Sequence, residues 1–162
     1  MRGGGTLNIE TISPQYGELM RKDALCALRQ MTELDRKKAS LAISAVCFVA
    51  EFVKKEGFVA LSSDPDFRRG GAYVLDAFEK RHCRPPLREY LGNGLEVISD
   101  GQETAKIEYL MGTEYLISGY AGGDSLAAYV YFQGIIMIAQ GISPEEISGS
   151  LKAFVKGDPN GQ

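Results

Sequence analysis

Apolar positions along the chain fall in blocks with helical rather than alternating spacing. The densest block is Leu126–Ala139, LAAYVYFQGIIMIA, whose strongly polar member is Gln133, the hydroxyls of Tyr129 and Tyr131 aside. It is about half a dozen residues short of the roughly 20 needed to span a bilayer. A buried helix is therefore expected there, capped by Asp124 or Ser125, with the other helices packed around it. Gly141 should stop it. Ser143, Pro144 and Glu146 then read as N-cap, N1 and N3 of a last helix reaching about Val155. The serine hydroxyl would take the N3 amide, and the glutamate would reach back to the N-cap amide.

Upstream, residues 1–12 read as a flexible tail, because Gly3-Gly4-Gly5 does not nucleate structure and little apolar surface follows. One helical domain is expected over 13–156, with a second flexible tail at 157–162. Ser13-Pro14 opens a first helix to about Glu33, and Asp35 opens a second, rich in apolar residues from Leu41 to Val53 and interrupted at Gly57. Asp64-Pro65 starts a third, carrying Phe67, Tyr73, Val74, Leu75 and Phe78. Pro85-Pro86 starts a fourth, whose middle Gly92 and Gly94 should weaken by about 1 kcal/mol each, enough for a kink or an early end. A fifth spans about Gln102–Ser118, and Gly119–Gly123 connects it to the apolar block. Period-two alternation is nowhere sustained. The expectation is an all-α fold of about seven helices.

Two parts of the chain echo each other. Glu51-Phe52-Val53 with Phe58-Val59 matches Glu108-Tyr109-Leu110 with Tyr115-Leu116 at an offset of 57, and Ala72-Tyr73-Val74 recurs as Ala128-Tyr129-Val130 at an offset of 56. A duplication would stack two three-helix units behind an N-terminal helix.

Composition adds limits. Hydrophobics at 44% and charged residues at 24% of 162 are ordinary for a globular domain. The net charge of −3 argues against a general nucleic-acid binder. Residues 1–85 hold 14 basic and 11 acidic side chains (net +3), and residues 86–162 hold 4 and 10 (net −6), a polarity able to orient a partner. Cys26, Cys47 and Cys83 are odd in number and widely spaced, which fits reduced, core-filling thiols in a cytoplasmic protein. No signal-peptide pattern is present in the given N-terminus. With His82 alone, a multi-histidine metal site is impossible, and no cofactor or phosphate-loop motif survives inspection of the glycines. The pair His82–Cys83, in a basic stretch that would lower a thiol pKa, is the one alternative centre for chemistry or small-molecule binding, with Arg84 beside it.

Two stretches carry a family resemblance. Lys54-Lys55-Glu56-Gly57-Phe58-Val59-Ala60-Leu61, followed by Asp64-Pro65-Asp66-Phe67-Arg68-Arg69-Gly70, resembles the cytoplasmic region of the bacterial flagellar motor stator subunit MotA. Gly134-Ile-Ile-Met-Ile-Ala-Gln-Gly141-Ile-Ser-Pro144-Glu145-Glu146-Ile147 is similar to the helix that follows in that family. The matches cover about 30 of 162 residues and lie farther apart than in the family. The resemblance implies a helical scaffold that docks onto another protein. It does not imply ion conduction, since no membrane-spanning helices are expected. The family's basic rotor-contact position falls on Lys54, whereas the acidic one falls on Ser62.

The expected function is a non-catalytic cytoplasmic scaffold or protein-interaction domain, without cofactor, metal, nucleic acid or membrane insertion. Its expected contacts are Arg36, Lys37, Lys38, Lys54, Lys55, Arg68 and Arg69. Self-association through the apolar 126–139 helix is a further expectation, because a helix apolar on all sides needs cover all round.

Overall fold

The structure is a computed structural model and describes residues 9–63 and 87–157. Over these it is all helical. The elements are α1 (Ile9–Arg29), α2 (Glu33–Glu56), the single turn α3 (Ala60–Ser63), α4 (Leu87–Ser99), α5 (Thr104–Ser118), α6 (Gly123–Ala139) and α7 (Pro144–Val155). No helix among the described residues is long and apolar enough to cross a membrane.

Helix α6 is the hub expected from the sequence. It packs against α1, α2, α4, α5 and α7, and buries all of Leu126–Phe132 together with Ile135, Ile136 and Ile138. Its side chains on every face find cover within the chain, so self-association need not involve this helix, contrary to the expectation above. Two glycines let neighbours come close. A Cβ on Gly134 would run into the Val46 side chain, and one on Gly112 in α5 would lie 2.6 Å from the Tyr16 ring. Matching contacts fix the directions. Val46 meets Gly134 as Asp35 meets Gly123, so α2 runs parallel to α6. Gly94, near the middle of α4, likewise meets Ile135, one turn before the end of α6.

Local signals set most boundaries. Ser143 caps α7 by accepting the Glu146 amide at 3.2 Å, with Pro144 at the first helical position. The reciprocal contact differs in detail from the expectation: the Ser143 hydroxyl, rather than its backbone amide, donates to Glu146 Oε1 at 3.3 Å. Gly141 adopts φ 79°, a left-handed conformation that a residue with a side chain resists, and so ends the α6 segment cleanly.

Several expectations need correction. Helix α1 begins at Ile9, upstream of Ser13-Pro14, and ends at Arg29 rather than near Glu33. Thr32, not Asp35, caps α2. Its hydroxyl accepts the Asp35 amide at 3.1 Å, while Asp35 Oδ2 accepts the Thr32 amide at 3.2 Å, a complete capping box. Helix α4 is continuous through both glycines, and Gly94 is there for packing, since a Cβ would come within 3.0 Å of Met111 Cε. The cap of α6 is Gly122, neither Asp124 nor Ser125. Cys26 is exposed rather than core-filling, and Cys47 is half-buried.

The duplication is matched only roughly. Glu51–Val59 crosses the end of α2 at Gly57, whereas Glu108–Leu116 lies inside the unbroken α5. The expected third helix (Phe67–Phe78), the Lys80–Arg84 basic stretch and Pro85-Pro86 lie outside the described residues.

Candidate functional site

The five expected contact cations among the described residues do not form one patch. Arg36 and Lys37 are exposed in the first turns of α2, and Lys54 and Lys55 are exposed in its last turn. At 1.5 Å rise per residue the two groups are roughly 25 Å apart. Lys38 is turned inward and only 8% exposed, and its Nζ donates to Asp124 Oδ1 at 2.7 Å in the first turn of α6. It therefore ties two parallel helices together rather than meeting a partner. Arg68 and Arg69 lie outside the described residues, as do His82, Cys83 and Arg84 of the alternative centre.

At the far end of α2 the chain builds a concave surface. Lys54 and Lys55 sit where the helix dipole favours cations. Gly57, at φ 89°, closes the helix by donating its amide to the Val53 carbonyl at 2.8 Å. The following Phe58 is then a wedge between two clefts. One, of about 260 Å³, is walled by Val53 and Lys54 from α2 and by Ile138, Gly141, Ile142 and Pro144 from the α6–α7 break. The other, of about 400 Å³, runs between Phe58 and Val59 on one side and Ile98, Asp100, Gln102 and Ala139 on the other. The floor is apolar, with a cation on one rim and a carboxylate on the other. Phe58 itself is 36% exposed, and nothing in the sequence singled it out as the centre of a site. Its one signal was an aromatic residue immediately after a helix-ending glycine.

A third cleft, of about 300 Å³, opens at the opposite end, where the last turns of α1 meet the α5–α6 connector. Asp23, Cys26, Gln30, Tyr120 and Ser125 line it. Tyr115 donates to Asp23 Oδ2 at 2.6 Å. Burial, then the hydrogen bond to Asp23, hold the Tyr115 phenol well above its ordinary pKa, and a hydrogen bond from Ser125 acts the other way. A neutral phenol bound to a carboxylate locks α1 to α5 but supplies no base or nucleophile. Among the described residues no group of three His, Cys, Asp or Glu side chains could hold a metal ion. No family model, curated protein or solved structure matches the chain.

Proposed function

We propose that this chain is a non-catalytic helical scaffold that acts in the cytoplasm and docks another protein over the Phe58 end of α2. In this reading it is a relative of a motor-component cytoplasmic domain. One observation carries it. The two stretches that resemble the MotA cytoplasmic region, far apart in sequence, line a single cleft: Lys54 and Phe58 come from the first, and Ile138, Gly141, Ile142 and Pro144 from the second. A cleft with an apolar floor and lysines at its edge suits an apolar anchor residue flanked by acidic ones, the arrangement in which a few buried contacts carry most of the binding energy.

A peptide display library screened against the chain tests this. Selected peptides should carry a large apolar residue beside Asp or Glu. Their affinity should fall by about tenfold or more on Phe58→Ala, and should fall, with reduced salt dependence, on Lys54→Glu. Peptides indifferent to both substitutions would overturn the assignment.

A further inference from the structure

Helix α5 is apolar both toward the core and away from it. Ile107, Met111 and Tyr115 face inward and are buried, whereas Leu110, Leu116 and Ile117 face outward, Ile117 with 81% of its surface exposed. Leu110 and Ile117 are seven residues apart and so lie on one line along the helix, with Thr113 between them. The stripe extends onto α1. The Tyr16 ring lies 6.1 Å from that of Tyr109 and Asp23 meets Tyr115, so α1 runs parallel to α5. Leu19, also exposed, lies between those two contacts.

We infer that a second copy of the chain docks on this face, α5 against α5, in an antiparallel twofold pair. The face is self-complementary in that arrangement. Leu110 of one copy meets Ile117 of the other, twice over, and the small Thr113 falls close to the axis, which lets the helices approach. Charge selects the direction. Lys106, exposed one turn before Leu110, comes opposite position 121, just beyond the last turn of the other copy's α5, where the terminal carbonyls point. That helix end has no basic residue of its own, and a cation there is favoured by the helix dipole. Parallel pairing would instead oppose Lys106 to Lys106 and align like helix ends. The stripe is small against the roughly 1,200–2,000 Å² that stable interfaces bury, so the pair is a concentration-dependent dimer. It shares no residue with the Phe58 clefts, so the inference goes beyond the docking assignment and does not depend on it.

Sedimentation of the full chain from low micromolar to millimolar concentration tests the pair, with helical content checked by circular dichroism. The wild-type chain should pass from monomer to dimer across that range. Ile117→Lys should stay monomeric and folded throughout. Lys106→Glu should weaken association by about tenfold at low salt and by less at high salt. A wild-type chain monomeric at every concentration, or Ile117→Lys dimerising as well as wild type, would overturn the dimer. Equal association of Lys106→Glu and wild type would overturn the antiparallel register. A monomeric wild type that still bound selected peptides through Phe58 would remove the dimer and leave the docking cleft standing.

Discussion

Helices α5 and α6 begin from similar sequences and end in different surroundings. Both carry apolar residues around most of their circumference, and neither has a clean polar face. Helix α6 is surrounded by five other helices and buries nearly every side chain from Gly123 to Ile138. Helix α5 packs against α1, α4 and α6 and leaves Leu110, Leu116 and Ile117 outside. An all-round apolar pattern therefore states that a helix needs cover, not that its own chain supplies it. Position in the bundle decides that, and α5 lies at its edge.

The largest expected effect breaks this contrast directly. Phe132, 1% exposed in α6, stacks near Tyr129 with ring centroids 6.4 Å apart, and Gly17 of α1 packs against its ring. Phe132→Ala should cost about 3–5 kcal/mol in chemical denaturation, from lost burial and the cavity left behind. Leu110→Ala on the outer face of α5 should stay within about 0.5 kcal/mol, measured at concentrations where the chain is monomeric. Equal losses at the two sites would mean that the outer face of α5 is covered after all.

The second effect concerns the polar fastening of the hub. Lys38 and Asp124 are both largely buried and 2.7 Å apart. Lys38→Ala removes the 2.7 Å ion pair between the two helices, and should destabilise the fold by about 3 kcal/mol. Lys38→Met with Asp124→Leu should recover most of that, because removing both charges also removes the need to pair them. Failure of the double variant to recover stability would assign the pair a role in fixing the register of α2 on α6, beyond mutual neutralisation.

These two predictions also mark where sequence reasoning works and where it stops. The course of α6 and α7 was legible because its signals are local: a run of apolar residues, a glycine stop, then serine, proline and glutamate in fixed order. The inward turn of Lys38 was not, since its partner lies 86 residues away and the Arg36-Lys37-Lys38 triplet reads as a set of outward-facing contacts. Asp35 is itself a good helix opener and so masks Thr32, although the Thr32-x-x-Asp35 spacing is that of a capping box. Gly94 read as a weak point because propensity counts its missing side chain as a cost. Here the missing Cβ makes room for Met111 and Ile135, which outweighs that cost. The candidate site was half legible: Lys54 and Lys55 were expected contacts, but only the fold brings Phe58 over Ile142 and Pro144.

The smallest effect tests the inner face of α5. Tyr115 and Tyr90 both project from their helices into the interior: Tyr115 donates to Asp23, and Tyr90 donates to the Met111 carbonyl at 2.9 Å. Burial, first of all, raises both phenols above their ordinary pKa, with Asp23 adding to the effect on Tyr115 and Glu114 to that on Tyr90. The native state thus holds these protons more tightly than the unfolded chain, whose tyrosines release theirs near pH 10. Below that pH the stabilisation is fully present. Above it the unfolded state binds fewer protons than the native one, so stability should fall as pH rises. Tyr115→Phe should cost about 1 kcal/mol at neutral pH, by removing the hydrogen bond to Asp23, and should make the alkaline decline shallower without abolishing it, because Tyr90 remains. Denaturant titrations at neutral pH and above pH 10 measure both quantities. An unchanged alkaline slope in Tyr115→Phe would place the phenol in solvent and show that α5 is held less firmly on its inner face than the contrast with α6 requires.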